Sequence, residues 1–252
     1  RGPSTLFYGS GAIGGVVNVV DNRIPTTLDK NVDYMLKHND VASEDEASFA
    51  LNTSSGQLAF HADAFWRESG DYKIPGYADS DNDHDEEDHD DHDDHEEELG
   101  EKGTLANSAS KSSGFTLGTS YVLNNGFIGF SFGRMTREYG IPGHNHGGHE
   151  DEHEEHDDEL FEDDYDEHEE EHDENVYGDL EQDRIQFLSE LTFDQGFINK
   201  VSSKMSYTDY QHKEIEDGEV GTIFNNEMTE ARFDIFHQEY SGWKGAWTFH
   251  YK

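Results

Sequence analysis

From about residue 31 onward, apolar and polar residues alternate with a period of two in a series of short segments, the spacing of strands that keep one apolar face. In Gly114–Leu123 the residues Phe115, Leu117, Thr119, Tyr121 and Leu123 share one face, and small or polar residues mostly fill the other. The next segment repeats the pattern with Ile128, Phe130 and Phe132 against Gly129, Ser131 and Gly133. Later segments set Ile185, Phe187, Leu191 and Phe193, then Trp247, Phe249 and Tyr251, on one side. About nine strands are predicted, near 31–39, 45–53, 57–73, 112–123, 127–139, 183–193, 197–210, 229–240 and 245–252. Several exceed the roughly 9–11 residues that a membrane-crossing strand needs.

Alternation alone does not separate a soluble sandwich from a membrane barrel, but the connections do. Short turns are expected at Thr53-Ser54-Ser55-Gly56, Asn124-Asn125-Gly126, Asp194-Gln195-Gly196 and Ser241–Gly245, and long connections at about 74–111, 140–182 and 212–228. Short turns at one end and long loops at the other are the signature of an up-and-down outer-membrane barrel. The expected fold class is therefore all-β, an antiparallel transmembrane β-barrel.

Composition sharpens this picture. Hydrophobic residues make up 32% of the chain, and 58 acids face 17 bases for a net charge of -41, values that taken as an average point to disorder. The excess is local. Windows 79–98 and 150–174 hold 14 and 18 acids, and without them 26 acids face 17 bases, about -9. The remainder is rich in Phe, Tyr, Gly, Ser and Thr with only four prolines, a strand and turn vocabulary. There is no cysteine, so a metal site has to use His, Asp or Glu. The chain opens at Arg1 and stops at Lys252 inside an alternating aromatic run, which reads as an excised fragment. The lack of any stretch of about 18 apolar residues excludes helical spans only.

Residues 1–25, Arg-Gly-Pro-Ser-Thr-Leu-Phe-Tyr-Gly-Ser-Gly-Ala-Ile-Gly-Gly-Val-Val-Asn-Val-Val-Asp-Asn-Arg-Ile-Pro, carry an ordered motif. It resembles the end of the plug domain of TonB-dependent receptors, where such a run leads into the first barrel strand. The resemblance implies a plug C-terminus over 1–28 and the N-terminal part of a barrel over 29–252. About nine strands are then part of a large plugged barrel of about 22. Gly9-Ser-Gly11-Ala-Ile-Gly14 also fits the dinucleotide fingerprint GxGxxG, but the β-branched run Val16-Val17-Asn18-Val19-Val20 stands where a helix would have to begin. No organic cofactor and no nucleic acid partner is expected.

Eleven of the 16 histidines fall in the acidic segments: His84, His89, His92 and His95 in the first, and His144, His146, His149, His153, His156, His168 and His172 in and just before the second. Imidazole suits zinc, copper, nickel and iron, whereas carboxylates alone suit magnesium, calcium and manganese. His92/His95 and His153/His156 are three apart, and His149/His153 and His168/His172 four apart, spacings that let one turn bring a pair onto one ion. The expected chemistry is weak, multi-site capture of a divalent metal, with proton competition in mild acid. A solvated low-complexity run is the plain alternative for the carboxylates. His149–His153 and His168–His172 match HExxH, but no apolar helix surrounds either, so no enzyme activity is expected.

Asp21–Pro25, Asp71–Tyr77, Arg137–His144 and the histidine-rich loops together are similar to the zinc-uptake (ZnuD-like) branch of TonB-dependent receptors. That resemblance implies import of scarce zinc across the outer membrane of a Gram-negative bacterium, powered through the TonB energy-transducing complex, in contact with lipid and lipopolysaccharide. It makes His144 and His146 the ligands expected nearest the barrel mouth. His61 and Asp63 alternate with Leu58, Phe60, Ala62 and Trp66, and are candidates for a lower station on a metal path or for plug contacts. Heme, nickel, copper or another metal chelate is the alternative cargo. A surface cation-binding or adhesion protein is the alternative of a different class.

Overall fold

The computed structural model describes residues 22–78, 102–142, 176–216 and 218–252. Eleven strands are described: β1 (Asn31–Asn39), β2 (Glu44–Ser55), β3 (Leu58–Ser69), β4 (Tyr72–Lys73), β5 (Thr104–Leu105), β6 (Ser110–Leu123), β7 (Gly126–Gly140), β8 (Tyr177–Thr192), β9 (Ile198–Glu216), β10 (Glu219–His237) and β11 (Ala246–Tyr251). Nine of them form one sheet in the order β1-β2-β3-β6-β7-β8-β9-β10-β11, and β4 pairs with β5 apart from it. Every pairing is antiparallel, so the sheet is an up-and-down meander, open at β1 and β11 rather than closed into a barrel. Among the described residues no helix is long and apolar enough to cross a membrane.

The register gathers the alternating apolar residues into a continuous band, because directly opposed residues share a face. Leu117 stands between Ala62 of β3 and Phe132 of β7, and Thr119 between Phe60 and Phe130. Phe130 and Phe132 then face Phe187 and Ile185, which face Met205 and Tyr207, which face Ala231 and Thr229. Phe233 and Ile235 carry the band to Phe249 and Trp247, and Ala62 carries it the other way to Leu51 and Val32.

That band is the exposed face. Leu117 is 55% exposed and Phe130 58%, whereas the largest fully buried side chains are Ser120 and Ser131 on the opposite face. His61 and Thr116 are buried on that polar face as well. The sheet is thus apolar on its exposed face and polar or small on its buried face, the reverse of a sheet that folds by hiding its greasy face from water.

Residues 23–25 lie against the polar face of β6 and β7. Ile24 is buried, the Ser120 hydroxyl donates to the Pro25 carbonyl, and a Cβ on Gly118 would overlap the Arg23 carbonyl oxygen. A Cβ on Gly129 would come within 2.6 Å of Ile24 Cγ2. The end of the N-terminal segment therefore occupies room that only glycine leaves free.

The expected parity of connections holds, with three corrections. At one end lie the short connections 56–57, 124–125, 193–197 and 238–245; at the other lie 40–43, 70–109, 141–176 and 217–218. The connection expected over 212–228 is not a loop, because only two residues separate β9 from β10, each 19 residues long. Their outward positions beyond the band are Asp209, Gln211 and Lys213 opposite Glu227, Asn225 and Ile223, so apolar alternation stops while the hydrogen-bonded ladder continues. β8 likewise starts at Tyr177 rather than 183. The strand expected over 57–73 breaks after Ser69, and Tyr72 and Lys73 peel away to pair with Leu105 and Thr104.

Candidate functional site

Both acidic, histidine-rich segments leave the sheet at the same end, and their stems are tied together by residues that the period-two pattern does not reveal. The first segment is flanked by β4 and β5, the second by the ends of β7 and β8. Asp71 anchors the first stem, its Oδ1 accepting the backbone N–H groups of Ser108 at 2.7 Å and Ala109 at 2.8 Å. The Gly70 and Lys73 amides donate to the Ala42 and Val41 carbonyls, and the Lys73 ammonium to the Asp40 carbonyl, which fastens the stem to the β1–β2 turn.

Asn107 joins the two stems. Its backbone has a φ of 55°, in the left-handed region that Asn tolerates better than most residues. From there its side-chain amide donates to the Val176 carbonyl at 2.7 Å and the Ile141 carbonyl at 3.0 Å, the last described turn of the second stem on either side. The Ile141 amide itself donates to the Val176 carbonyl at 3.0 Å, and the Gly140 amide to that of Ala109. A Cβ on Gly140 would collide with Asn107, so the close approach of the stems requires that glycine. The result is that the two described stems are tied side by side at one end of the sheet, the mouth.

On the inner face of this mouth the extended β7–β10 strands build an aromatic row. His212 stacks against Tyr139 at 6.0 Å and against Phe224 at 5.9 Å, with Tyr210 tilted at 6.5 Å. The Tyr139 hydroxyl lies 3.2 Å from His212 Nε2, and the Arg137 guanidinium sits over the Tyr139 ring. Gly178 opens the gap in which they meet, since a Cβ there would lie 2.8 Å from the Tyr139 ring and 2.9 Å from His212 Nε2.

The neighbouring rim, past Trp66, is held by charge. Glu44 is buried and accepts from both the Arg67 guanidinium and the Lys37 ammonium. Those two hydrogen bonds, Arg67 first, hold its carboxyl below the usual carboxylate range. His38 lies between Asp45 at 2.8 Å and Asp40 at 3.1 Å, and its hydrogen bond to Asp45 raises its pKa.

All eleven histidines expected to bind metal, His84, His89, His92, His95, His144, His146, His149, His153, His156, His168 and His172, lie outside the described residues. Among the described residues no group of three or more His, Asp or Glu side chains is placed to hold a metal ion. His61 is described, and both of its ring nitrogens are engaged: Nδ1 with Asn52 Oδ1 at 2.8 Å and Nε2 with Asp63 Oδ2 at 2.7 Å. With 7% exposure it is a satisfied histidine on the buried polar face, opposite Gly118 where residues 23–25 lie, not an open metal ligand. His212 and Asn107 had no signal in the sequence beyond their residue types. No model of a known protein family matches the chain.

Proposed function

We propose that the chain is part of a TonB-dependent outer-membrane receptor that imports a divalent transition metal, zinc foremost, and that its two acidic, histidine-rich segments collect the ion at the mouth. The observation that carries this is the inverted sheet: large apolar side chains on the exposed face, and Ser120, Ser131, Thr116 and His61 buried on the other. From Leu58 to Trp66 the band runs about 26 Å along β3 at ~3.3 Å per residue, close to the ~25 Å apolar belt of a membrane barrel. Unpaired backbone groups at β1 and β11 would cost several kcal/mol each in lipid, so further strands are needed to close the barrel. The motif over residues 1–25 supports the plugged family, as does the packing of residues 23–25 on the buried polar face, which would be the inner wall of the proposed barrel.

The metal reading rests on histidine content and on the convergence of both segments at one mouth. The test is zinc uptake by cells carrying the full-length receptor, compared with a strain lacking it, under zinc chelation, together with calorimetry of zinc binding to the purified receptor. Replacing the eleven histidines by Gln, with every carboxylate retained, is expected to abolish most zinc uptake by the purified protein; unchanged binding would return the segments to solvated, cation-buffering runs. Heme is the second reading, favoured by the Tyr139 hydroxyl and the His212 imidazole meeting on the inner face of the mouth. Growth on heme as sole iron source distinguishes the two cargoes.

A further inference from the structure

We infer that Arg184, Lys204 and His250, on the polar face of β8, β9 and β11, form a binding station for a small polycarboxylate, and that zinc passes it as an anionic carboxylate complex rather than as a bare ion. The metal half of this inference rests on the transport reading; the anion station does not.

Register puts the three side chains on one face. Arg184 opposes Gly133, which opposes the buried Thr116. Lys204 opposes Leu188 on one side and Arg232 on the other, and Arg232 opposes His250. The carboxylates on this stretch of the face are already engaged, Glu190 with Lys200 at 2.9 Å, Asp234 with Arg232 at 2.9 Å and Glu230 with Lys252 at 3.5 Å. Among the described residues, the side chains of Arg184, Lys204 and His250 make no hydrogen bond and no ion pair. Acids outnumber bases 58 to 17 in the chain, so unengaged bases gathered on one face are the opposite of what the overall charge produces.

Two of the three carry a cost. Lys204 stands directly opposite Arg232, and like charges opposed across a ladder repel. Arg184 Nε is buried without a hydrogen-bond partner, a donor whose lost hydration no described group offsets. Lys204 and His250 are exposed, and so open to a ligand. An oxyanion between these side chains relieves both costs: a guanidinium takes a carboxylate through paired N–H donors, and an ammonium adds a point charge. At ~3.3 Å per residue, Arg184 lies about 13 Å along β8 from Leu188, the partner of Lys204; at ~4.8 Å per strand, Lys204 lies about 10 Å from His250. Long side chains converging across that spread suit a ligand with several carboxylates better than one with a single charge. A bare divalent cation is repelled by the same surplus. A tricarboxylate outweighs the charge of the ion it holds, so its complex stays anionic and is attracted.

The test is calorimetry on the full-length, metal-free receptor titrated with citrate. Wild type is expected to bind it, and Arg184→Gln and Lys204→Gln are each expected to weaken binding about tenfold. Arg184→Lys, which keeps the charge, is expected to bind more tightly than Arg184→Gln. Lys200→Gln removes a cation of the same face that Glu190 already engages, and is expected to leave binding unchanged. No binding by wild type, or an equal loss in Lys200→Gln, would overturn the station. Inorganic phosphate is expected to bind more weakly than citrate, and the reverse order would overturn the polycarboxylate assignment.

Zinc uptake by cells tests the second half. Excess citrate is expected to raise uptake about tenfold over zinc chloride through the wild-type receptor, and to give no such gain through Lys204→Gln at equal abundance in the membrane. Citrate that slows wild-type uptake or leaves it unchanged would refute passage as a carboxylate complex. If the wild-type receptor moves zinc from neither source, the transport reading fails, while the calorimetry still decides the station.

Discussion

Phe130→Arg separates a membrane sheet from a water-soluble one by the sign and size of its effect. Phe130 lies in the middle of the band, flanked by Thr119 and Phe187, and is 58% exposed. If that face meets water, an arginine there removes an exposed apolar ring and changes stability by no more than about 0.5 kcal/mol. If it meets lipid near the bilayer midplane, the charge costs about 2–4 kcal/mol, or roughly a 30- to 700-fold shift in the folding equilibrium at 1.4 kcal/mol per decade. Depth supplies an internal control. Thr136 projects from the same face of β7 three alternations nearer the mouth, between Ser113 and Glu181, where Arg is expected to cost only about 0–1 kcal/mol. The assay is equilibrium urea unfolding of the full-length protein in lipid vesicles, followed by tryptophan fluorescence and by the heat-dependent shift in gel mobility. A Phe130→Arg variant within about 0.5 kcal/mol of wild type would refute the placement of this band in lipid.

Three further outcomes follow from the mouth. Asn107→Gly keeps the left-handed backbone but removes the bridging amide, so about 1 kcal/mol per lost hydrogen bond is expected locally, read as faster hydrogen exchange at Gly140 and Ile141 with the Phe130 region unchanged. Glu44 has a depressed pKa, so its contribution is intact above about pH 4.5 and is lost as pH falls through the folded-state value; wild type should lose urea resistance over that window, and Glu44→Gln, less stable at neutral pH, should lose less. His38 acts in the opposite direction: its raised pKa makes its contribution complete below about pH 6.5 and lost as pH rises through the folded-state value, so His38→Gln should flatten a small decline in stability measured by the same titration.

The legible part of this fold is the part where an apolar exposed face stands against a wall of small or polar residues. Phe115, Leu117 and Tyr121 against Thr116, Gly118 and Ser120 announce β6 because both faces are under opposite demands, and the same holds for β7 up to Phe132. Beyond the band the outward demand disappears. Asp179, Glu181 and Asp183 on β8, and Asp209 and Gln211 on β9, sit in good strand register, yet their polarity imitates a loop. The ladder there is held by backbone bonds and by pairs such as Arg134 with Asp183, which no periodicity reports. Asn107 is less legible still, because a left-handed asparagine bridging two distant carbonyls leaves no local pattern, and its partners lie 34 and 69 residues away in sequence.

The stitched stems bear on how a metal collector of this kind would work. Windows 79–98 and 150–174 together carry 32 acids, and Asn107 joins the described bases of both at a single mouth. Charges held within about one Debye length, ~8 Å at physiological salt, act on the same ion, whereas charges on separate arms are screened from each other. In a collector of the proposed kind, joining the stems would favour one shared field over two separate ones, and such a field would raise the local concentration and capture rate of a divalent cation without demanding a tight cage. A tight cage would also retain what it caught. Histidines spread through such a field would offer many loose sites, among which an ion of the proposed cargo would exchange as it passed inward. On this reading, Asn107→Gly is expected to slow zinc capture at low metal concentration more than it changes the number of zinc ions bound at saturation. Parallel stopped-flow and calorimetric titrations measure the two quantities, and an equal loss in both would mean that the stems set the sites themselves rather than the field around them.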